Sequence, residues 1–224
     1  MGMEALSQDI QKKKAAEAAL DFVNAGDIIG VGTGSTANFF IEALVKIKSK
    51  IDAAVPSSEV SAERLRAIGI RVIELNHAGD IPLYVDGADE ATSTGYLMKG
   101  GGGALTREKI VASACQQFVC IIDSSKLCDI LGEFPLPIEV IPMAQGLVSR
   151  RLVQMGGTPV MRERFQTDNG NIIVDVRNLD LTNPLRIEQK LNCVAGIVEN
   201  GIFAKESADV ILVGSDEGVR HILL

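Results

Sequence analysis

The sequence predicts an α/β protein: a Rossmann-like parallel-sheet domain interrupted by an inserted ferredoxin-like α+β domain. Three observations predict it. Short apolar stretches alternate with amphipathic ones from Asp27 to Ser125, the pattern of a parallel sheet with helices on both faces. The rhythm breaks at "GEFPLPIEVIP", where Pro135 and Pro137 stiffen the connection. Beyond it the order is β-α-β-β-α-β, followed by one more apolar stretch, "ADVILVG", that the smaller unit does not need and the first sheet can take back. The expected domains are residues 1–133 with 207–224, and residues 134–206. A chain of 224 residues, 46% hydrophobic and 23% charged, can bury cores of that size.

In order along the chain, helical spacing of alanines and larger apolar residues runs from Ser7 to Val23, before Asn24-Ala25-Gly26. "DIIGVG" is a buried strand, and "STANFFIEALVKIKSK" an amphipathic helix with Phe39, Phe40, Leu44 and Ile47 on its buried face. "AAVPSS" reads as a second strand, "SAERLRAIG" as a helix and "IRVIEL" as a third strand. "PLYVDGADE" is a strand running into a turn. After the glycines, "TREKIVASACQQ" is helical and "FVCIIDSS" a strand. In the inserted part, "IEVIPM", "PVMRERFQT", "NIIVDVRNL" and "GIVENGIFA" read as strands, with helices over "AQGLVSRRLVQMG" and "NPLRIEQKLN". Asp168-Asn169-Gly170 marks a hairpin turn, because Asn-Gly tolerates positive φ.

Charge and composition remove several functions. A net charge of −7 and a pI near 5.0 speak against nucleic-acid binding; an anionic small ligand would need a locally positive pocket. Cys115, Cys120, Cys128 and Cys193 form no C-x-x-C pair, and with two histidines they offer no zinc pattern. His77 and His221 read as surface residues. The first twenty residues hold no apolar signal core, Leu6 stands where a myristoylation motif needs Ser or Thr, and no apolar run is long enough for a membrane helix. The expectation is a cytoplasmic, soluble protein.

Four segments carry candidate chemistry. In "GVGTGSTANFF" a strand runs into Thr33, Gly34, Ser35 and Thr36 and then a helix, the arrangement that binds phosphate on backbone N–H groups. Gly32 to Ala37 also fits the dinucleotide pattern G-x-G-x-x-A, and a plain Ser/Thr helix cap explains the segment equally well. In "YVDGADE" an apolar strand ends in Asp86 and Asp89 with Glu90 alongside; such carboxylates bind sugar hydroxyls or a metal, or move protons, while Asp-Gly alone marks a turn. In "MKGGGGALTREK" four glycines separate Lys99 from Glu108, which by itself reads as a helix-start glutamate complementing the dipole. "DSSK" places Lys126 just past a strand. The run Lys12, Lys13, Lys14 is a solvated face or supplies one phosphate contact.

Together "GVGTGSTA", "YVDGADE", "KGGGGALTREKI" and "DSSK", with "GEFPLPIEVIPMA" and "TDNGNIIVDV", resemble ribose-5-phosphate isomerase, type A, over nearly the whole chain. The resemblance implies interconversion of ribose 5-phosphate and ribulose 5-phosphate, in the non-oxidative pentose phosphate branch, with no metal or organic cofactor. By position it implies Thr33, Gly34, Ser35 and Thr36 as a substrate loop with phosphate contacts. It implies Asp86, Gly87, Ala88 and Asp89 as a second loop, Lys99, Gly100, Gly101 and Gly102 as a third, Lys126 as a fourth contact, and Lys12 near the phosphate. Glu108 matches the catalytic base, with Asp86, Asp89 and Lys99 assisting. The implied partners are a pentose 5-phosphate and further copies of the chain, as a homodimer or homotetramer, with no nucleic acid and no membrane. Gly103 departs from the family, where alanine is expected.

The chemistry suits these residues. Aldose–ketose isomerisation by an enediolate needs a carboxylate that takes a proton from one carbon and returns it to the next, and preorganised positive charge or N–H donors for the oxyanion. Two other readings remain. An NAD-dependent oxidoreductase rests on G-x-G-x-x-A and Asp52, although Asp52 precedes the second strand instead of ending it. A sugar-phosphate sensor would bind without needing Glu108.

Overall fold

The computed structural model describes residues 2–224. Helix α1 (Gly2–Ala18) is followed by β1 (Ile28–Val31), α2 (Ser35–Leu44), β2 (Ala53–Pro56), α3 (Glu59–Ala67) and β3 (Ile81–Asp86). Then come β4 (Glu90–Thr92), β5 (Leu97–Met98), α4 (Leu105–Ala114), β6 (Cys115–Asp123) and the two-residue β7 (Leu127–Cys128). The remainder comprises β8 (Leu136–Val140), α5 (Gln145–Gln154), β9 (Thr158–Met161), β10 (Ile172–Arg177), α6 (Pro184–Asn192), β11 (Ile197–Asn200), β12 (Ile202–Phe203), β13 (Val210–Ser215) and β14 (Gly218–Leu223). None of the helices among the described residues is long and apolar enough to cross a membrane.

Two compact units form. The first holds residues 1–88, 107–127 and 208–224; the second holds 89–106 and 128–207. The second therefore includes residues 89–106 and 128–133, which the expected boundaries gave to the first.

In the first unit six strands are ordered β14-β13-β6-β3-β1-β2. All neighbours are parallel except the β13–β14 hairpin. Successive side chains on a strand take opposite faces. Leu83 and Val85 enter a core with Ile29, Val31, Phe40, Leu44 and Leu65, to which α1 adds Ala15 and Ala16 and the 3-10 turn after it adds Ala19. Tyr84, between them, packs on Phe118 of β6, ring centroids 5.0 Å apart. "ADVILVG" does return to this sheet, as β13 beside β6. "IRVIEL" is not a strand. Val72 makes one parallel bridge to Ala54, and a 3-10 turn at Leu75–His77 follows with exposed polar side chains, so there is no second row of partners to extend the ladder.

The second unit contains a sheet ordered β11-β8-β10-β9, antiparallel throughout, which is the ferredoxin-like arrangement with α5 and α6 as its helices. Asn183 caps α6, accepting from the Arg186 N–H at 3.1 Å, with Pro184 in the first turn. "GIVENGIFA" breaks into two strands in two sheets: β11 pairs with β8, whereas β12 pairs with β5. Gly201 makes the break, since a Cβ there would lie 2.2 Å from the Lys99 carbonyl oxygen. The strand read over "PVMRERFQT" ends at Met161, and residues 162–171 form a loop tipped by the Asn169-Gly170 turn.

Candidate active site

Asp86 ends β3 and is fully buried. Its Oδ1 accepts the N–H of Thr33 at 3.0 Å and of Gly87 at 2.7 Å, and its Oδ2 accepts the Tyr84 hydroxyl at 2.5 Å. One carboxylate thus ties the end of β3 to the β1–α2 loop. Gly32 is what lets them meet: a Cβ there would fall 1.9 Å from the Asp86 carboxyl carbon. Burial first, then the charges of Asp86 and Glu108, hold the Tyr84 hydroxyl well above its ordinary pKa, so it remains a proton donor.

The β1–α2 loop is not a Ser/Thr-capped helix start. The N-cap of α2 is Gly34, at φ +118°, with no side-chain cap bond. The Thr33 hydroxyl instead donates to Ser58 at 2.8 Å and lies 2.8 Å from the Ser57 hydroxyl and 3.3 Å from that of Ser61. Ser61 in turn donates to the Gly32 carbonyl at 2.7 Å. Thr33 therefore belongs to the scaffold under the loop, which leaves Ser35, exposed, and Thr36, half-buried, as its accessible hydroxyls. Backbone N–H groups at the start of a ten-residue helix suit an anion.

Lys126 lies in a 3-10 turn after β6, capped by Asp123, which accepts the Ser125 N–H at 3.0 Å. Gln11 of α1 accepts from the Ser124 N–H and hydroxyl at 3.2 and 2.9 Å, bringing α1 to this turn. The lysine run on α1 divides. Lys14 donates to the carbonyls of Ser215 and Asp216, Lys12 pairs with Asp9 at 3.3 Å, and Lys13 is exposed. Glu108, in the first turn of α4, is only 3% exposed. A glutamate serving the helix dipole alone would stay in water, because burying a carboxylate is costly.

The second unit places Asp89 and the glycine loop together. The hairpin of β4 and β5 delivers Lys99 directly after β5, 2% exposed, its N–H donated to the Gly201 carbonyl and its Nζ 5.5 Å from the centre of the Phe203 ring. Asp89 Oδ2 accepts the Gly101 N–H at 2.7 Å. Gly103, at φ +81°, closes a turn onto the Gly100 carbonyl, and a Cβ on it would meet the Phe165 ring at 2.2 Å. The alanine expected there has no room. Glu90, the third carboxylate of the motif, accepts the N–H groups of Gly132 and Phe134 at 2.7 and 2.6 Å and anchors that loop.

Within the first unit, then, the fold brings the 33–36 loop to Asp86 and Gly87, while Asp89 and Lys99 to Gly102 belong to the second. Sequence reading missed Ser57, Ser58, Ser61 and Tyr84; the S-x-x-S spacing at the start of α3, where Ser58 accepts the Ser61 N–H at 3.1 Å, was the available signal. Asp52, the acid of the NAD reading, precedes β2 and pairs with Arg71 at 2.8 Å.

The sequence pattern of ribose 5-phosphate isomerase A (phosphoriboisomerase A) matches residues 53–218. The ribose 5-phosphate isomerase A structure from Neisseria gonorrhoeae is 49% identical, covers 96% of this chain and 97% of its own, and superposes with a TM-score of 0.95. A D-ribose-5-phosphate isomerase in complex with phospho-erythronic acid is 37% identical over 97% of this chain and 99% of its own, at 0.93. The enzyme from Methanocaldococcus jannaschii is 39% identical over 96% of this chain and 98% of its own, at 0.90. With the pattern spanning most of its length and these relatives nearly all of it, the chain belongs to the ribose 5-phosphate isomerase A family.

Proposed function

We propose that this isomerase interconverts D-ribose 5-phosphate and D-ribulose 5-phosphate, in the non-oxidative pentose phosphate branch, through an enediolate with Glu108 as its base. The observation that carries the assignment is the burial of Glu108 in the first turn of α4, within the unit that also holds the Tyr84–Asp86 pair and the 33–36 loop. Starting from the open aldose, the Glu108 carboxylate takes the proton from C2 and returns it to C1. The electron pair of the broken C–H bond forms the C1–C2 double bond as the aldehyde oxygen takes up negative charge. Lys99 and the glycine backbone stabilise that oxyanion. Asp86 and Asp89 hydrogen-bond the sugar hydroxyls and carry protons between oxygens, ring opening included.

Ser35, Thr36 and the N–H groups of the α2 start hold the phosphate, with Lys126 and Lys12 supplying charge; a handle remote from the reacting carbons orients them. A relative that binds phospho-erythronic acid supports this reading, since that ligand carries a phosphate and a planar carboxylate on a sugar-acid chain. Glu108→Gln tests it. The variant should fold, bind sugar phosphate and lose turnover by about 10²- to 10⁴-fold, the share of a positioned base. Turnover near the parent rate in a coupled ribose 5-phosphate assay removes Glu108 from the role.

A further inference from the structure

Arg162 follows β9 and belongs to none of the motifs above. Its Nε and Nη2 donate to the two carboxylate oxygens of Asp175 on β10, at 2.9 and 2.6 Å. Its remaining arm, Nη1, donates to the Gly101 carbonyl at 3.1 Å. The guanidinium also lies 5.1 Å from the centre of the Phe165 ring, the same ring that packs on Gly103. All of these residues lie in the second unit. The fork is fixed on one side by a bidentate carboxylate and lies against an aromatic ring, and one N–H of its outer Nη1 arm goes to the glycine loop.

The peptide geometry gives the contact a consequence. The Gly101 carbonyl and the Gly102 N–H belong to one planar trans unit and point in opposite directions. Gripping the carbonyl therefore fixes where the Gly102 N–H aims, away from the guanidinium. Glycines on both sides would otherwise let this plane turn freely. The N–H on the other side of Gly101 is committed to Asp89. Gly102 itself is exposed, with open space where a Cβ would stand.

We infer that Arg162 is a positioning residue, which holds the Gly101–Gly102 peptide so that the Gly102 N–H is a preoriented donor for the oxyanion of the isomerisation; the inference rests on the enediolate reading. Lysine at 162 keeps a positive charge for Asp175 but cannot hold Asp175 and the carbonyl in one rigid plane.

Arg162→Lys, assayed on ribose 5-phosphate, should lose about 10- to 100-fold in kcat with KM within about threefold, the mark of a donor used in the transition state. In spectra of protein labelled with 15N-glycine, the Gly102 cross-peak, assigned by its loss in Gly102→Ala, should shift on adding phospho-erythronic acid to the parent and be displaced or broadened in Arg162→Lys. A kcat within about twofold of the parent, a loss confined to KM, or an unmoved Gly102 peak overturns the inference. Asp175→Asn loosens the fork from the far side and should lower kcat in the same sense; an unchanged kcat there is equally fatal, even if Arg162→Lys does not fold. Glu108→Gln in the same assay keeps the two ideas apart. An active Glu108→Gln removes the base, whereas an inactive one beside an active Arg162→Lys removes only the role of Arg162.

Discussion

Replacing Gly32 by alanine sets a methyl group 1.9 Å from the Asp86 carboxyl carbon and from Oδ1. Ordinary carbon contacts begin at about 3.4–3.5 Å, so the carboxylate or the loop must withdraw by about 1.5 Å. That exceeds the tolerance of the bonds Asp86 accepts from Thr33, Gly87 and Tyr84, at 3.0, 2.7 and 2.5 Å. Overpacking costs about 1–3 kcal/mol, and a buried polar group losing its partner costs about 1–3 kcal/mol more. A destabilisation of about 2–6 kcal/mol corresponds to a fall in Tm of roughly 4–24 °C for a chain of this size. Displacing a reacting group by more than an ångström costs about 100-fold in rate, so with Asp86 in its proposed role kcat/KM should fall by that order in the molecules that remain folded. Calorimetry and the coupled isomerase assay read the two effects. A Gly32→Ala protein with Tm within about 2 °C of the parent and unchanged kcat/KM would refute the claim that this glycine exists to seat Asp86.

Two further outcomes follow from the same geometry. Because the neutral Tyr84 phenol is favoured in the folded state, folded protein keeps its proton where unfolded tyrosine, with a pKa of about 10, has begun to lose it. Stability should thus fall as pH rises above about 10, and Tyr84→Phe should flatten that slope in urea unfolding between pH 8 and 11 while costing about 1–3 kcal/mol at neutral pH; an unaltered slope contradicts the assignment. In the glycine loop, Gly102→Ala should change stability by less than about 0.5 kcal/mol yet impair turnover, whereas Gly103→Ala, with positive φ and Phe165 in the way, should lower stability by about 1–3 kcal/mol. Equal melting temperatures for the two variants would contradict the packing.

Much of this architecture was legible because it is periodic. Runs such as "LYVD" and "FVCIID" alternate with helices, and the inserted unit shows its strand order before any contact is known. What stayed hidden depends on distant partners. Nothing local in "GIVENGIFA" says that the Lys99 carbonyl will lie against Gly201 and divide the strand. The hairpin of β4 and β5 joins the second unit because β12, about a hundred residues on, pairs with β5. Arg162 and Glu139 lie in the strand-like runs "PVMRERFQT" and "IEVIPM", where nothing local marks their partners. Glu139 is in fact fully buried, accepting from the Thr106 and Thr167 hydroxyls and the Asn169 and Asn171 amides, and so it holds the 167–171 turn and the start of α4.

The carboxylates of "DGADE" show why residue type alone could not assign roles. Crowded acids suggested one cluster with one purpose, but the donors each meets are different. Glu90 is buried with a backbone N–H on each oxygen, which makes it a fastener for residues 132–134. Asp86 is buried too, yet one of its donors is a phenol held protonated partly by the charge of Glu108, and that couples it to the proposed base. Asp89 is half-buried and accepts the N–H of Gly101, the residue whose carbonyl Arg162 grips. Three acids within five residues thus enter three separate hydrogen-bond systems. The donors around each acid, and not its residue type, set these systems apart.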